Sequence, residues 1–503
     1  MSQENCKANQ AEDMADAYLI GLDVGTTSVK GALFDESGKA LKTVSARHET
    51  KRPAQACAEQ NPDEWMAHIL NALAVLTEGL PSGAVAAVGL TSQVNTHVFV
   101  GVDGEPLMPA IIWQDGRCAK EAAALDLQVR ESDRLQWWGA PLPIDASHVL
   151  SRIAWVKRHH PDLWKKTRWV MAPKDYCIYR LTGEVTADPM SNFGVIDQSL
   201  NYIPSLISLV PGAIDRLPPL SSFSAPAGRI QSGLPGADAA MVTGTMDAWA
   251  GILGAGGVKN GDAIYLSGTS EVLGLISPEK VPTPGVIAFP QCEGIVLHAG
   301  PTQAGGASVE WLSNLLGRTP AQLSALAATV PSSRPVPVFL PHLQGERAPL
   351  WDITSRAAFA GMDSSTGPAE LSRSVFEGVA YSVRLLLESL EQSAAMRPSS
   401  ITIAGGGAQS EIWCQIRADI LGRPIHRVAH TDSGVLGAAM IAGVGAGIYP
   451  SIPKAAEFLV RIDRKFAPDE TQKKRHDFSF GKFRELYEQL KDFNAEFTAF
   501  SGW

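Results

Sequence analysis

Short apolar runs broken by glycine-containing turns open the chain. Residues 18–23 (Tyr-Leu-Ile-Gly-Leu-Asp) form an apolar strand, Val24-Gly25-Thr26-Thr27 a turn, residues 28–34 a second strand, Asp35 to Gly38 a hairpin turn and residues 40–46 a third strand. The pattern predicts three antiparallel strands. From Asn61 the period changes. Trp65, Ile69, Leu70 and Leu73 recur at helical spacing behind an Asn61-Pro62 start signal. Residues 85–90 read as a strand leading into Thr91-Ser92-Gln93.

About 240 residues after the first turn the motif returns. Ala263-Ile-Tyr-Leu266 is apolar, Ser267-Gly268-Thr269-Ser270 is a turn, and residues 272–276 resume the strand. Two such hairpins predict two lobes of related build, divided near the glycine-rich stretch 254–261, with residues 18–258 in the first and 259–503 in the second. Beyond it, residues 371–390 read as a long helix, 400–404 as a strand, and Gly405-Gly406-Gly407 as a turn into a helix from Glu411. Phe483, Leu486, Tyr487, Leu490, Phe493 and Phe497 lie at helical spacing, predicting an amphipathic C-terminal helix docked on the second lobe.

Composition narrows the class. The 503 residues are 45% hydrophobic and 19% charged, which suits a globular protein of roughly two to four domains. A net charge of −9 without a basic block makes the chain a poor candidate for a nucleic-acid coat or an anionic-membrane binder. A phosphorylated small ligand remains open, because backbone amides and a few cations hold phosphate locally. Cys6, Cys57, Cys118, Cys177, Cys292 and Cys414 contain no C-x-x-C pair and are too sparse for a disulfide framework. Residues 1–17 are polar, read as a disordered tail, and lack the features of a signal peptide. Residues 434–450 are apolar but short and glycine-rich, which predicts a buried helix rather than a membrane span. The expected compartment is the cytoplasm.

The two hairpin turns carry candidate chemistry. Gly25 permits close backbone approach, and Thr26, Thr27 and Ser28 offer hydroxyl and amide donors to phosphate oxygens. Asp23 could bind Mg²⁺ through water. Gly268, Thr269 and Ser270 repeat the donor set. Either turn alone reads equally as a hairpin with satisfied threonines; the pair is the sharper signal. Gly405, Gly406, Gly407 and Gln409 follow a strand and precede a helix, as a nucleotide site or a tight strand-to-helix connection would. They match neither G-x-G-x-x-G nor a Walker A loop. Asp247 has two readings, a general base or an N-cap of the helix 248–253.

Taken in order, the blocks Gly21 to Lys30, Trp113-Gln-Asp-Gly-Arg117, Pro173-Lys174-Asp175-Tyr176, Gly244-Thr-Met-Asp247, Ser267 to Ser270, Pro341 to Pro349, Phe376 to Ala380 and Gly405 to Gln409 resemble the FGGY carbohydrate kinases. The resemblance spans residues 18–447. It implies an α/β fold of two lobes, of the actin/Hsp70/hexokinase (ribonuclease H-like) type, with ATP and sugar in the cleft between them. It further implies Asp247 as catalytic base, Mg²⁺ near Asp23 and Asp247, and a nucleotide contact at Gly305. On the sugar side it implies Gln93, Val94, Asn95 and Ala248, with Trp113, Asp115 and Arg117 also in reach; their other reading is a core aromatic beside a local ion pair. Glu346 and Arg347 are expected to form a structural pair.

The substrate so implied is a ketopentose, xylulose foremost, with ribulose, erythritol, glycerol or gluconate as alternatives. The segment Gln93-Val94-Asn95-Thr96 lacks the Arg-Glu pair of glycerol kinases and the His of xylulose kinases. A homodimer is compatible with the resemblance. An actin- or Hsp70-like ATPase is the competing class, separated by whether ATP turnover depends on sugar.

Overall fold

The computed structural model describes residues 18–430 and 432–501; the expected tail at 1–17, with Cys6, lies outside the described residues. The chain divides into two compact units, residues 1–254 with 433–460, and residues 255–432 with 461–503.

The first unit is built on a six-stranded sheet. Its strands are β1 (Tyr18–Val24), β2 (Ser28–Phe34), β3 (Ala40–Arg47), β4 (Val85–Ser92), β5 (Pro226–Arg229) and β6 (Ala240–Val242), in the order β3-β2-β1-β4-β6-β5. The first three are antiparallel, as the apolar runs joined by short turns predict, while β4 runs parallel to β1 and β6 parallel to β4. Edge strand β3 alternates half-buried and exposed residues, whereas β1 is buried on both faces. Ile20 and Leu22 turn one face of β1 toward helix α1 (Pro62–Thr77), which buries Trp65, Ile69, Leu73 and Leu76 in the same core. Asn61 caps α1 by accepting the Asp63 N–H at 3.1 Å.

Gly21, one residue out of phase with Ile20 and Leu22, faces the opposite side. There helix α7 (Ser433–Gly445) lies against the sheet backbone. A Cβ on Gly21 would stand 1.9 Å from the Val435 carbonyl oxygen, and one on Gly89 1.9 Å from that of Ala438. This backbone-to-backbone packing corrects the expected domain boundary. Residues 433–460 fold with the first unit, because α7 packs its backbone directly on β1 and β4. The segment is the buried helix expected, and among the described residues no helix is long and apolar enough to cross a membrane.

The second unit repeats the plan. Strands β7 (Ala263–Ser267), β8 (Glu271–Ile276), β9 (Ile287–Ala288), β10 (Leu297–Pro301), β11 (Ile401–Ala404), β12 (Ile425–Val428) and β13 (Ile462–Phe466) form a sheet in the order β9-β10-β8-β7-β11-β12-β13. The β7–β8 and β8–β10 pairs are antiparallel, and β11 and β12 are parallel to β7 and to each other. Helix α5 (Pro368–Ser393) packs Val383, Leu386, Leu387 and Leu390 against the sheet. The C-terminal helix α8 (Lys473–Ser501) docks on the same unit through Phe480, Phe483 and Tyr487. The expected stripe is docked only in its first half, since Phe493 and Phe497 are 61% and 49% exposed and stack on each other.

Candidate active site

In the first unit the chemically equipped loops all leave the carboxyl ends of neighbouring parallel strands. Residues 25–27 follow β1, residues 93–96 follow β4, and residues 243–246 follow β6. In open α/β sheets ligands bind at this edge.

Asp247 is the first residue of helix α3 (Asp247–Gly254), and its position is set by the loop before it. Gly244 takes φ +67°, and a Cβ there would lie 2.0 Å from the Leu90 carbonyl oxygen, so only glycine lets the loop pass β4 this closely. Three hydrogen bonds fix the loop to the sheet edge. Thr91 Oγ1 donates to the Thr245 carbonyl (2.6 Å), Thr245 Oγ1 to Asp188 (2.7 Å) and Lys174 Nζ to the Thr243 carbonyl (3.1 Å). Fully buried Lys174 also pairs with Asp175 at 2.5 Å and Asp188 at 2.8 Å. Burial works against the ammonium, but the two carboxylates outweigh it and raise its pKa; burial lifts Asp175 to about 6. Sequence reasoning quoted Lys174 and Asp175 in a motif without a role and missed Asp188. Nothing in their spacing signals that they meet.

The Asp247 side chain is half-buried, and its Oδ1 accepts the Ala248 N–H at 2.8 Å. It therefore bonds the second amide of α3 from inside the helix rather than capping it from outside. Ala248, expected at the sugar, spends its N–H here. Desolvation pushes the Asp247 carboxyl up to about 6, a value suited to a base working near neutral pH.

The first hairpin turn is tied to the loops around it. Gly25 N–H donates to Ser28 O (3.1 Å). Trp113 Nε1–H donates to Thr26 Oγ1 (2.9 Å), and Trp113 N–H to Thr96 Oγ1 (3.2 Å). Gln60 Nε2 donates to the Thr26 carbonyl (2.6 Å), while its Oε1 accepts from Gln93 Nε2 (2.8 Å). Trp113 and Gln60 thus join the phosphate-turn candidate to the sugar-loop candidate. Thr27 is exposed and Ser28 buried. Val94 is half-buried. Asn95 takes φ +50°, and its Nδ2 donates to Ser147 Oγ (3.2 Å). Beneath it, fully buried Arg152 donates to the carbonyls of Asn95, Ile111 and Ile112, a support that sequence reasoning did not find.

Asp115 and Arg117 follow the ion-pair reading. Buried Asp115 accepts from Ala58 N (2.6 Å) and Arg117 N (2.9 Å), and pairs with Arg117 Nη2 at 2.6 Å. Arg117 also pairs with Glu59 at 2.7 Å and lies over Trp155. The structure thus spends these groups on holding the segment that presents Trp113, itself 36% exposed.

Asp23, next to last in β1, lies opposite Lys30, and a Cβ on Gly25 or Gly434 would sit 3.9 or 3.5 Å from its Oδ2. Among the described residues no group of three or more His, Cys, Asp or Glu side chains comes together to hold a metal.

In the second unit, the turn Gly268-Thr269-Ser270 and the segment Gly405 to Gln409 leave the carboxyl ends of adjacent parallel strands, with Leu266 opposite Ala404. Gly268 and Thr269 are exposed and Ser270 half-buried. Gly405 takes φ +94°, Gly406 and Gln409 are exposed, and a Cβ on Gly406 would meet nothing within 4 Å, leaving an open face. Gly305 is buried behind the hairpin turn, where a Cβ would lie 2.8 Å from Thr269 O; Gly306 N and Ala307 N donate to the carbonyls of Gly268 and Thr269, each at 2.9 Å. Gly305 therefore supports the turn from behind.

The expected Glu346–Arg347 side-chain pair does not form. Glu346 Oε1 accepts the amides of Gln303 and Arg347, while the Arg347 guanidinium donates to the Thr302 carbonyl (2.7 Å) instead of to its neighbour. Burial raises Glu346 to about 7.

Comparison with known proteins fits this geometry. The N-terminal domain profile of the FGGY family of carbohydrate kinases matches residues 18–254, and the C-terminal domain profile matches residues 263–446. The chain belongs to the FGGY carbohydrate kinases. It is a sugar phosphotransferase, and the family's phosphate donor is ATP. The kinase is 29% identical over 484 residues to the xylulose kinase of Escherichia coli (strain K12), covering 94% of this chain and 99% of that one. It is 29% identical over 496 residues to the glycerol kinase of Citrifermentans bemidjiense, with coverage of 92% and 97%. The crystal structure of xylulose kinase from Rhodospirillum rubrum aligns with a TM-score of 0.84 at 27% identity, covering 95% and 100%. The two-domain α/β ATPase fold is the one the resemblance implied.

Proposed function

We propose that this kinase transfers the γ-phosphoryl group of ATP to a hydroxyl of a ketopentose, xylulose foremost, with Asp247 as general base. The observation that carries the reading is the Asp247 carboxyl. It sits on a loop pinned by the Lys174–Asp188–Thr245 chain, at the ligand-binding edge of the first sheet, with its pKa raised to about 6. Such a carboxylate is largely ionised at neutral pH and basic enough to accept the proton of an attacking sugar hydroxyl.

Gln93, Val94 and Asn95 supply the sugar side, with the exposed indole of Trp113 as a flat neighbour. Thr26 in the first unit, and Thr269 and Ser270 in the second, would offer amide and hydroxyl donors to phosphate oxygens, with Gly25 and Gly268 allowing close backbone approach. The indole N–H of Trp113 occupies a lone pair of Thr26 Oγ1, which leaves the hydroxyl proton free to donate. The open face at Gly406 and Gln409 suits the nucleoside. Asp23, with water, would hold Mg²⁺, which neutralises charge on the transferred phosphoryl group when bound. A cytoplasmic setting, where ATP is made, fits this chemistry.

Support for xylulose comes from the relatives of that name, and a relative named glycerol kinase favours glycerol as the second reading. The test is a coupled assay of ADP release across xylulose, ribulose, erythritol, glycerol and gluconate. The reading predicts the highest kcat/KM with xylulose. A higher value for any other member of the panel replaces the substrate, and sugar-independent ATP turnover overturns the kinase mechanism.

A further inference from the structure

The second unit contains a fully buried arginine that neither the phosphate chemistry nor the core requires. Arg417 stands on helix α6 (Glu411–Leu421), which follows the glycine-rich segment 405–409. Its guanidinium reaches back to both candidate nucleotide turns. Nη1 donates to the Gly407 carbonyl at 3.1 Å, and Nη2 donates to Ser267 Oγ at 2.6 Å. Ser267 is the residue that leads into the Gly268-Thr269-Ser270 turn. The same Nη2 pairs with Glu271 at 3.2 Å on the far side of that turn, and Ser267 Oγ donates to the same carboxylate oxygen at 3.2 Å. The plane of the guanidinium lies over Trp413 and near Tyr265, 3.8 and 4.7 Å from the ring centroids, so the fork cannot swing away.

The two turns also touch. A Cβ on Gly407 would fall 2.1 Å from Ser267 Oγ, and one on Gly405 2.4 Å from Ser267 O. Bare backbone at both positions lets the glycine segment close on Ser267, and Arg417 bonds across the seam. A buried cation is costly unless it is paired and hydrogen-bonded. Here it is aimed at the carbonyl of one turn, the hydroxyl at the foot of the other, and a buried carboxylate.

We propose that Arg417, with Ser267 and Glu271, is a positioning unit that sets the register between the phosphate turn at 268–270 and the nucleoside segment at 405–409, so that one nucleotide engages both. The inference rests on the reading that these turns hold ATP. Arg417 touches no reacting atom, and its effect is on nucleotide affinity rather than on the chemical step.

The test is the full-length kinase carrying Arg417→Met, Arg417→Lys and Ser267→Ala. Steady-state KM for ATP and for the sugar would be measured, with calorimetric Kd for a non-hydrolysable ATP analogue and circular dichroism as a check of folding. Arg417→Met should raise KM for ATP and Kd for the analogue by about tenfold or more, since hydrogen bonds to a charged donor are lost. KM for the sugar should change by no more than roughly twofold, an effect below that of one neutral hydrogen bond. Arg417→Lys should recover part of the loss, and Ser267→Ala should show the same nucleotide-only effect at smaller size. Ser267→Ala also serves if Arg417→Met does not fold. Variants that fold and bind the analogue as wild type does, or that lose sugar and nucleotide affinity equally, overturn the inference. A wild-type kinase that uses ATP while Gly406→Val and Thr269→Ala leave its affinity unchanged overturns instead the placement of nucleotide on these turns.

Discussion

Gly25-Thr26-Thr27-Ser28 and Gly268-Thr269-Ser270-Glu271 occupy the same place in the two sheets, the tip of the hairpin that opens each. Their settings differ in charge and in support. Aligned on the glycines, Asp23 of the first hairpin corresponds to Leu266 of the second, and Ser28 corresponds to Glu271. The first turn has a carboxylate at the end of its incoming strand, suited to a cation accompanying phosphate. The second has no such group at that point. Its carboxylate is Glu271, buried beneath the turn, bonded to Ser267 and Arg417, and raised to about 7 by burial. The second turn is also tighter. Gly25 N–H bonds Ser28 O, whereas Gly268 N–H bonds Ser270 O, one residue nearer. One hairpin has side chains brought to it by distant loops, through Trp113 and Gln60, while the other is braced from behind by Gly305, Gly306 and Arg417. A repeated backbone can therefore serve two tasks once the residues flanking its glycine have diverged.

The largest effect tests where the chemistry lies. Asp247→Asn in the first unit should lower kcat by about a hundredfold to ten-thousandfold, the usual worth of a general base, with analogue affinity nearly unchanged. Loss of nucleotide binding of the same size would move Asp247 to a binding role and erase the division of labour.

Next is the charge at the first turn. Asp23→Leu gives that hairpin the residue its counterpart carries at Leu266. It should cost about tenfold to a hundredfold in kcat and raise the Mg²⁺ concentration needed for half-maximal rate. An unchanged Mg²⁺ requirement would show that the contrast between Asp23 and Leu266 has no bearing on the metal.

The pH dependence follows from Asp247. With its carboxyl raised to about 6, kcat/KM should fall with decreasing pH below that value, as the base becomes protonated. Stability runs the other way. The folded state binds this proton more tightly than the unfolded chain, whose value is near 3.8, so the group's contribution is full below 3.8 and is lost as pH rises through about 6. Asparagine does not ionise, so Asp247→Asn should melt at a higher temperature than wild type at pH 8 and at nearly the same temperature at pH 4. Thermal melts at the two pH values check the sign.

The smallest effect expected is at Trp113→Phe, which removes the indole N–H from Thr26 Oγ1 but keeps a flat ring. The loss of one neutral hydrogen bond should raise KM for ATP or for the sugar by roughly tenfold or less. A loss comparable with that of Asp23→Leu would mean that the first turn depends on its borrowed support as much as on its own carboxylate.

Much of this was legible along the chain. Short apolar runs on either side of the Gly25 and Gly268 turns marked both hairpins, and the step to helical spacing at Trp65 marked α1, because these signals lie within a few residues of one another. The return of residues 433–460 to the first unit was not legible. Gly434 and Gly437 read as ordinary small residues until Gly21 and Gly89 are seen facing the same helix. Asp115 and Arg117 likewise read as sugar contacts or as a pair with equal ease until Ala58 and Glu59 close around them. The later half of α8 carried the same apolar period as the first, yet Phe493 and Phe497 remain exposed, since periodicity reports a face and not what covers it.

By itself, then, the sequence determined the doubled hairpin plan, because each hairpin's signals lie within a few residues, and it pointed to the kinase family and to Asp247 as the carboxylate to test, because the order of short blocks along the chain carries the resemblance. Only the tertiary structure decided which buried charges stand behind those loops. Lys174 meets Asp188 from beyond the end of its own helix, and Arg417 meets Glu271 from 146 residues away; a charge leaves water only where folding has already assembled its partners.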